Sequence, residues 1–344
     1  MKIPIHNLYY LLAYAWNRLE ESGLIDVGAI EANTYLELFS RVLCKGTSLL
    51  LKQGLVREYI TCDEEIRGIK GRIDFQQTYA RNLLANGKMQ CRFDEMSHDA
   101  VPNQIIKATL RRLLRVDDID RSVKDEVAGL YRKLGGISDV ELRSALLQQA
   151  RTPRHQPIYG LLLDVCRLLY DGLLPQEHDD GFTFRDFTRN DKAMALLFES
   201  FVREFYRREQ SHFRVSAKSI PWQDTEASAA NLSLLPKLNT DVTLSSAERS
   251  IVMDTKFYGE TLMENYGKKM VRSEHLNQIF AYVVNVGVAE KKPNHQVEGL
   301  LLYPVVQEDF ELDYSLHGYR VRVLTVDLSL PWATIHERLC DCIQ

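Results

Sequence analysis

Little in these 344 residues marks a secreted or membrane-bound protein. There are only six cysteines, scattered through the chain, which is too few and too dispersed for a disulfide framework. Cys340 and Cys342 form a C-x-C, but with no second pair and no nearby histidine pair it reads as ordinary thiols. No apolar run approaches the roughly 18 residues of a membrane span. The opening MKIPIHNLYYLLAYAWNRLEE soon turns charged and has no small-residue cleavage site, so it reads as a helix of the mature protein. The expectation is a cytoplasmic globular protein. A nucleotide-binding loop is also missing: Gly267-Lys268-Lys269 has neither the upstream glycine spacing nor the hydroxyl of G-x-x-x-x-G-K-[ST]. This chain is expected to bind no nucleotide. Nor is there H-E-x-x-H, a G-x-S-x-G elbow or a dinucleotide-binding glycine pattern, which removes the common zinc-protease, hydrolase and dehydrogenase classes.

Strong basicity is lacking too. The formal net charge is −4, with residues 1–170 at +3 (24 Lys+Arg, 21 Asp+Glu) and the remainder at −7 (19 and 26). A protein that holds nucleic acid alone by phosphate neutralisation is ordinarily more basic. A DNA function would need a local patch or a partner that does most of the holding.

What is present is 45% hydrophobic residue content with well-patterned segments, enough for about two domains at this length. Helices are expected at 7–21, 31–53, 103–116, 121–134, 139–150, 157–174, 191–208 and 272–286. The β-rich stretch 56–75, broken by Gly68 and Gly71, suits two or three short strands. Further β-like segments lie at 212–220, 232–244, 250–258, 296–306 and 318–327. The polar, acidic stretch 174–191 reads as an interdomain connection. The division is therefore 1–175, with β-rich 55–75 followed by helices, and 190–344. The fold class is α/β (α+β overall), and the second domain is built on a central mixed sheet flanked by helices.

The chemistry concentrates in LNTDVTLSSAERSIVMDTKFYG, 238–259. Two β-like runs flank the polar break SSAERS. The second is apolar and then delivers Asp254-Thr255-Lys256, and a carboxylate at the end of an apolar strand is costly without a cation or donors. Residues two apart on a strand share a face, so Asp254 and Lys256 stand together, with Asp241 available from the neighbouring run. Two carboxylates can hold Mg²⁺, and a lysine beside them can orient water and offset charge, which is what phosphodiester hydrolysis requires. Glu199 edges the apolar stripe of helix 191–208. Gln278 and Tyr282 are spaced i, i+4 on helix 272–286. Lys107, Arg111 and Arg115 line a face expected to be solvated, and His98, among Asp94, Glu95 and Asp99, is expected to serve local turn chemistry rather than a metal. Arg67, Lys70 and Arg72 are three cations around two glycines, an exposed turn or a docking element.

Asp-x12-Asp-x-Lys followed by a Q-x-x-x-Y helix resembles the PD-(D/E)xK nuclease superfamily, RecB-type members included. IRGIKGRIDF, CRFDEMSHD, NQIIKATL, LFESFVREFY and TD…DTKFY, in that order, narrow the resemblance to the McrC family, the endonuclease subunit of McrBC-type methylation-dependent restriction systems. Asn-Thr-Asp stands where superfamily members commonly have Pro-Asp. The resemblance implies an N-terminal partner-binding domain and a C-terminal nuclease domain. It implies catalytic roles for Asp241, Asp254, Lys256, Glu199 and Gln278, with Mg²⁺ on Asp241 and Asp254. It also implies a McrB-like AAA+ GTPase ring as partner, and the turn carrying Arg67, Lys70 and Arg72, if not a plain solvated hairpin, is the candidate contact. The substrate implied is double-stranded DNA carrying modified cytosine such as 5-methylcytosine, cut in defence against foreign DNA, with room for two copies to pair. The alternatives are a RecB-like nuclease of a helicase–nuclease repair complex, and a non-catalytic adaptor that activates the GTPase.

Overall fold

The computed structural model describes residues 3–176, 181–257, 263–265, 268–290, 294–306 and 308–344. The chain separates into two compact units. One is Glu20–Arg185; the other joins Met1–Leu19 to Asp186–Gln344. The first nineteen residues, expected in the N-terminal domain, thus belong with the C-terminal one.

The cause lies in helix α1, Ile5–Ala15, where Leu8, Tyr9, Leu11, Leu12, Ala13 and Tyr14 are all buried. It carries too little polar surface to stand alone, and it packs against the long helix of the second unit.

Within Glu20–Arg185, α2 (Tyr35–Gln53) is capped by Thr34, whose side chain accepts from the Glu37 amide. A three-stranded antiparallel sheet follows, with β1 (Glu58–Ile66) and β2 (Arg72–Ile73) on either side of β3 (Met89–Ser97). Helices α3 (Val101–Leu113), α4 (Arg121–Lys133) and α5 (Ile158–Gly172) complete the unit. Asn103 ties sheet to helices: its amide donates to the Val56 and His98 carbonyls, and its carbonyl accepts from the buried Tyr159 hydroxyl at 2.6 Å. In the row expected to be solvated, Arg115 is exposed, but Lys107 and Arg111 turn inward. Lys107 is buried and donates to the Ile137 carbonyl at 2.6 Å, with Asp139 3.1 Å away, and Arg111 donates to the Val140 carbonyl. These cations pin the 137–140 segment onto α3. Within the same unit, Leu173–Pro175 pairs with Phe182–Phe184; part of the expected connection, 177–180, lies outside the described residues.

The second unit is organised by α6 (Asp191–Glu209), capped by Asn190. Its stripe Met194, Leu197, Phe198, Phe201, Val202, Phe205 and Tyr206 is buried, as the period-3.6 pattern requires. Tyr14 of α1 lies 5.8 and 5.5 Å, centroid to centroid, from Phe201 and Phe205, and its hydroxyl donates to Glu209 at 2.7 Å. The helices α7 (Ser273–Ala289) and α8 (Trp332–Asp341) accompany the main strands, which are β4 (Arg214–Ser216), β5 (Val242–Ser245), β6 (Arg249–Thr255), β7 (Gln296–Pro304), β8 (Glu311–Leu316) and β9 (Tyr319–Val326). These strands form one six-stranded sheet, ordered β8-β9-β7-β6-β5-β4. β6, β7 and β9 run parallel and the others antiparallel, so the sheet is mixed.

The parallel strands are largely buried, and the charged Glu298 of β7 and Arg322 of β9 within them pair 3.5 Å apart. α7 settles closely on β7 because position 299 is glycine. A Cβ there would come within 2.8 Å of Val283 and 2.9 Å of Ile279. The expected β-segment 232–244 holds strand only at Leu238–Asn239 and Val242–Ser245. Ser228 caps a short helix at Ala229–Leu234 instead, accepting from the Asn231 amide.

Residues 186–344 produced without the first nineteen should therefore fail to hold a stable fold, since Phe201, Phe205 and Trp332 lose their cover. Each large buried side chain uncovered costs about 2–3 kcal/mol. Thermal melting by circular dichroism checks this: fusing residues 3–19 back should restore a cooperative transition, and cooperative melting without them would contradict it.

Candidate active site

The chemistry collects at the carboxyl end of β6. The antiparallel register ends where Met253 pairs with Val242, so Asp254 and Asp241 are the next residues of the two chain segments just past the ladder. Neighbouring like charges repel, the more so in a site nearly shut to water. Asp254 is 1% exposed. Lys256 Nζ stands 2.7 Å from its Oδ2, and among the described residues no hydrogen-bond donor reaches its buried Oδ1. Asp241 lies at the bend before β5 and turns back towards Thr255. Its Oδ2 accepts from the Thr255 amide at 2.7 Å and the Thr255 hydroxyl at 2.9 Å.

Lys256 continues the strand by donating its amide to the Leu302 carbonyl at 3.0 Å, which sets the side chain beside Asp254. Its ammonium also donates to Gln278 Oε1 at 2.9 Å, and the Gln278 amide donates to the Tyr282 hydroxyl at 2.7 Å. The i, i+4 pair on α7 thus forms a chain that ends at the lysine. On α6, Glu199 Oε1 accepts from Arg203 at 2.7 Å, and the same Arg203 nitrogen donates to the Asp241 carbonyl at 3.2 Å. The structure therefore gathers Asp241, Asp254, Lys256, Glu199 and Gln278 at one end of the sheet.

The carboxyl groups titrate accordingly. Burial, then the neighbouring Asp241, pushes Asp254 up to about 6 against the opposing pull of Lys256. Burial raises Asp241 as well and Glu199 adds to this, while the Thr255 hydrogen bonds work against it. His275, three residues before Gln278, is held down near 4 by burial and by Lys256, and its Nδ1 lies 2.8 Å from the buried Tyr303 hydroxyl.

A divalent cation suits this donor set. Two neighbouring carboxylates, one with a buried oxygen lacking a donor among the described residues, offer the hard oxygen ligands that Mg²⁺ prefers. Among the described residues no group of three or more His, Cys, Asp or Glu is disposed to hold a metal. Asp241 and Asp254 would share the ion with water.

Other residues singled out in the sequence stand apart from this cluster. His98 accepts from Arg57 Nε at 2.9 Å and Asp99 from the Ser138 amide at 2.7 Å, so both bind residues distant in sequence where local turn chemistry was expected. Cys342 is buried and Cys340 lies 3.8 Å from His336 Nδ1. Arg67, Lys70 and Arg72 are exposed in the Glu20–Arg185 unit, Lys70 pairing with Glu95 at 3.0 Å and lying 3.9 Å over the Phe93 ring. Gly68 and Gly71 take φ of +100° and +66°, the backbone freedom that the turn between β1 and β2 requires. Sequence reasoning missed Thr255, Arg203, His275 and Tyr303. Arg203 had a signal, being four residues after Glu199 on a helix. Thr255 had none, because strand alternation sends it away from Asp254 and only the bend at Asp241 brings it a partner.

A carboxyl group with a raised folded-state pKa binds its proton more tightly folded than unfolded, so it costs stability as pH rises through that value. In EDTA, Asp254→Asn should exceed the parent in stability by about 2 kcal/mol above pH 6, and the gap should close towards pH 4. Urea unfolding across that range measures it, and a gap that does not change with pH would refute the stated cause.

Relatives bear on the same residues. A protein from Escherichia coli (strain K12), "Type IV methyl-directed restriction enzyme EcoKMcrBC", is 33% identical over 339 residues, spanning 98% of this chain and 97% of that protein. A solved structure from Thermococcus gammatolerans, of McrB AAA+ hexamers with bound McrC in a half-complex from a tetradecameric assembly, shares the fold. The TM-score is 0.63 at 14% identity, over 99% of this chain and 76% of that one. The model of the family described as "McrBC 5-methylcytosine restriction system component" matches residues 5–304, so the acidic cluster lies within the matched span, and the chain belongs to that family.

Proposed function

We propose that this chain is the DNA-cutting subunit of a restriction complex directed at modified cytosine, hydrolysing phosphodiesters with Mg²⁺ on Asp241 and Asp254. The observation that carries this reading is the buried Asp254 carboxylate, with one oxygen lacking a donor among the described residues, near Asp241 and beside Lys256. Bound there, Mg²⁺ supplies Lewis-acid neutralisation of charge at the phosphate. The chain's own groups do the rest. Thr255 fixes one oxygen of Asp241, so the carboxylate is oriented before substrate arrives. Lys256 carries the positive charge that orients a water and offsets negative charge building on the phosphate oxygens. Gln278 keeps that ammonium in place, with Tyr282 behind it. An adaptor that only activates a GTPase has no use for an intact carboxylate pair beside a held lysine, which argues for catalysis.

Cutting is expected to depend on a partner. Residues 171–344 carry 26 acidic against 19 basic side chains, a poor match for the phosphate backbone. By analogy with the relative described as McrC bound to McrB AAA+ hexamers, the partner we propose is a McrB-like GTPase ring, with two copies able to pair in the full complex. Its contact is proposed to lie on the Glu20–Arg185 unit, which presents Tyr59 (73% exposed) and Ile69 (68%) near Arg67, Lys70 and Arg72 in sequence. A RecB-like helicase–nuclease has no specific observation in its favour.

Asp241→Ala, Asp254→Ala and Lys256→Ala should each abolish Mg²⁺-dependent cleavage by the complex, while Gln278→Ala should slow it about 10–100-fold, the usual effect of losing a supporting hydrogen bond. Gel assays of single-turnover cleavage read both, and full activity in Asp254→Ala would sink the nuclease reading.

A second expectation concerns the turn. Arg67→Glu with Lys70→Glu should weaken stimulation of the partner's GTP hydrolysis, more at low salt than at high, because exposed charges are screened beyond about 10 Å at 0.1 M. Normal stimulation at low salt would move the docking surface elsewhere.

A further inference from the structure

Asp and Glu number 47 of the 344 residues, yet two long stretches hold neither. Residues 38–57 carry Arg41, Lys45, Lys52 and Arg57; residues 142–163 carry Arg143, Arg151, Arg154 and His155. The fold of the Glu20–Arg185 unit joins their ends. The Gln156 side-chain amide donates to the Gly54 carbonyl at 2.8 Å, and the Val56 amide donates to the Tyr159 hydroxyl at 3.0 Å. Lys52 on the last turn of α2, Arg57 just before β1, and Arg154 and His155 just before Gln156 thus meet at one corner, with Arg151 leading into it.

The other cations of the two stretches are engaged. Arg41 pairs with Glu126, Lys45 donates to the Asp26 carbonyl, and Arg143 pairs with Glu141. Lys52, Arg151 and Arg154 are exposed and form no ion pair among the described residues, and Arg57 has its Nε on His98. Glu58 is the nearest carboxylate to Arg57 in sequence. Like charges gathered without a counter-charge repel, and an anionic ligand relieves that repulsion. Neither 52–57 nor 150–157 exposes a large apolar side chain. Protein interfaces centre on apolar and aromatic residues, whereas DNA interfaces are polar and strongly cationic. β1 is nine residues long, so the corner lies roughly 30 Å along the strand from the Arg67–Arg72 turn, and both surfaces can be engaged together. We propose that this corner grips the phosphate backbone of duplex DNA through Lys52, Arg57, Arg151 and Arg154, supplying positive charge that residues 171–344 lack. The proposal rests on the nuclease reading above, because the duplex held is the one to be cut.

The test uses the chain assembled with its GTPase ring on a duplex carrying 5-methylcytosine, with affinity followed by fluorescence anisotropy from about 50 to 200 mM salt. Each phosphate neutralised steepens the fall of log K with log salt by about 0.9. Lys52→Gln, Arg151→Gln and Arg154→Gln together should flatten that slope by about 2–3, and Arg154→Gln alone by about 1, while both stimulate GTP hydrolysis as the parent does. A matched variant, Arg81→Gln with Arg92→Gln and Arg143→Gln, removes three cations that already have carboxylate partners and should keep the parent's slope. A slope unchanged in the first triple variant, or flattened equally in the matched one, overturns the proposal. So does loss of GTPase stimulation in the first triple variant at low salt, which would make the corner a contact for the ring. Cleavage does not enter the measurement, so full cutting by Asp254→Ala would overturn the nuclease reading by a separate result.

Discussion

Two neighbouring carboxylates at the end of one strand ladder, where water scarcely reaches, constrain everything built around them. Burial disfavours charge on Asp254, the neighbouring Asp241 disfavours it further, and the Lys256 ammonium works against both. The protein tolerates this because the strand that delivers Asp254 is buried through Ile251, Val252 and Met253 and cannot turn its end outward without exposing them. Local cost at the site is thus covered by packing elsewhere in the sheet, a division common where chemistry needs an unfavourable arrangement.

The surrounding elements can be understood as supports of that pair. Thr255 takes one oxygen of Asp241; α7, brought close by Gly299, sets Gln278 where it can hold the lysine. α6 contributes a carboxylate and the arginine that occupies it. Each contact links a different element to the end of β6, so the site depends on the whole sheet-and-helix layer being assembled.

The part of this that was legible in the sequence is the part carried by short-range pattern. Alternation in the strand put Asp254 and Lys256 on one face, and the helical period joined Gln278 to Tyr282. The long apolar stripe of α6 announced itself without ambiguity. What could not be read depends on where the chain bends and what packs from afar. The bend at Asp241 gave Thr255 its partner. The strand Glu311–Leu316 escaped notice because its alternation is diluted by charge at an exposed edge, and Trp332–Asp341 because the helix buries few of its residues. Lys107 looked like a surface residue, and only the return of the 137–140 carbonyls makes its burial tolerable. The placement of α1 has the same character: an apolar helix is easy to see, but which core receives it is a long-range matter.

That placement has a consequence for how the protein is made. The residues of Glu20–Arg185 leave the ribosome as one continuous block with their own helices and sheet, and can fold as soon as they emerge. α1 precedes them, yet the helix that receives it, α6, ends at Glu209, nearly two hundred residues later. At about 5–20 residues per second, the usual pace of synthesis, α1 waits roughly 10–40 s with its apolar side chains uncovered. During that interval it is the segment of the nascent chain most exposed to aggregation and most in need of a chaperone's apolar groove.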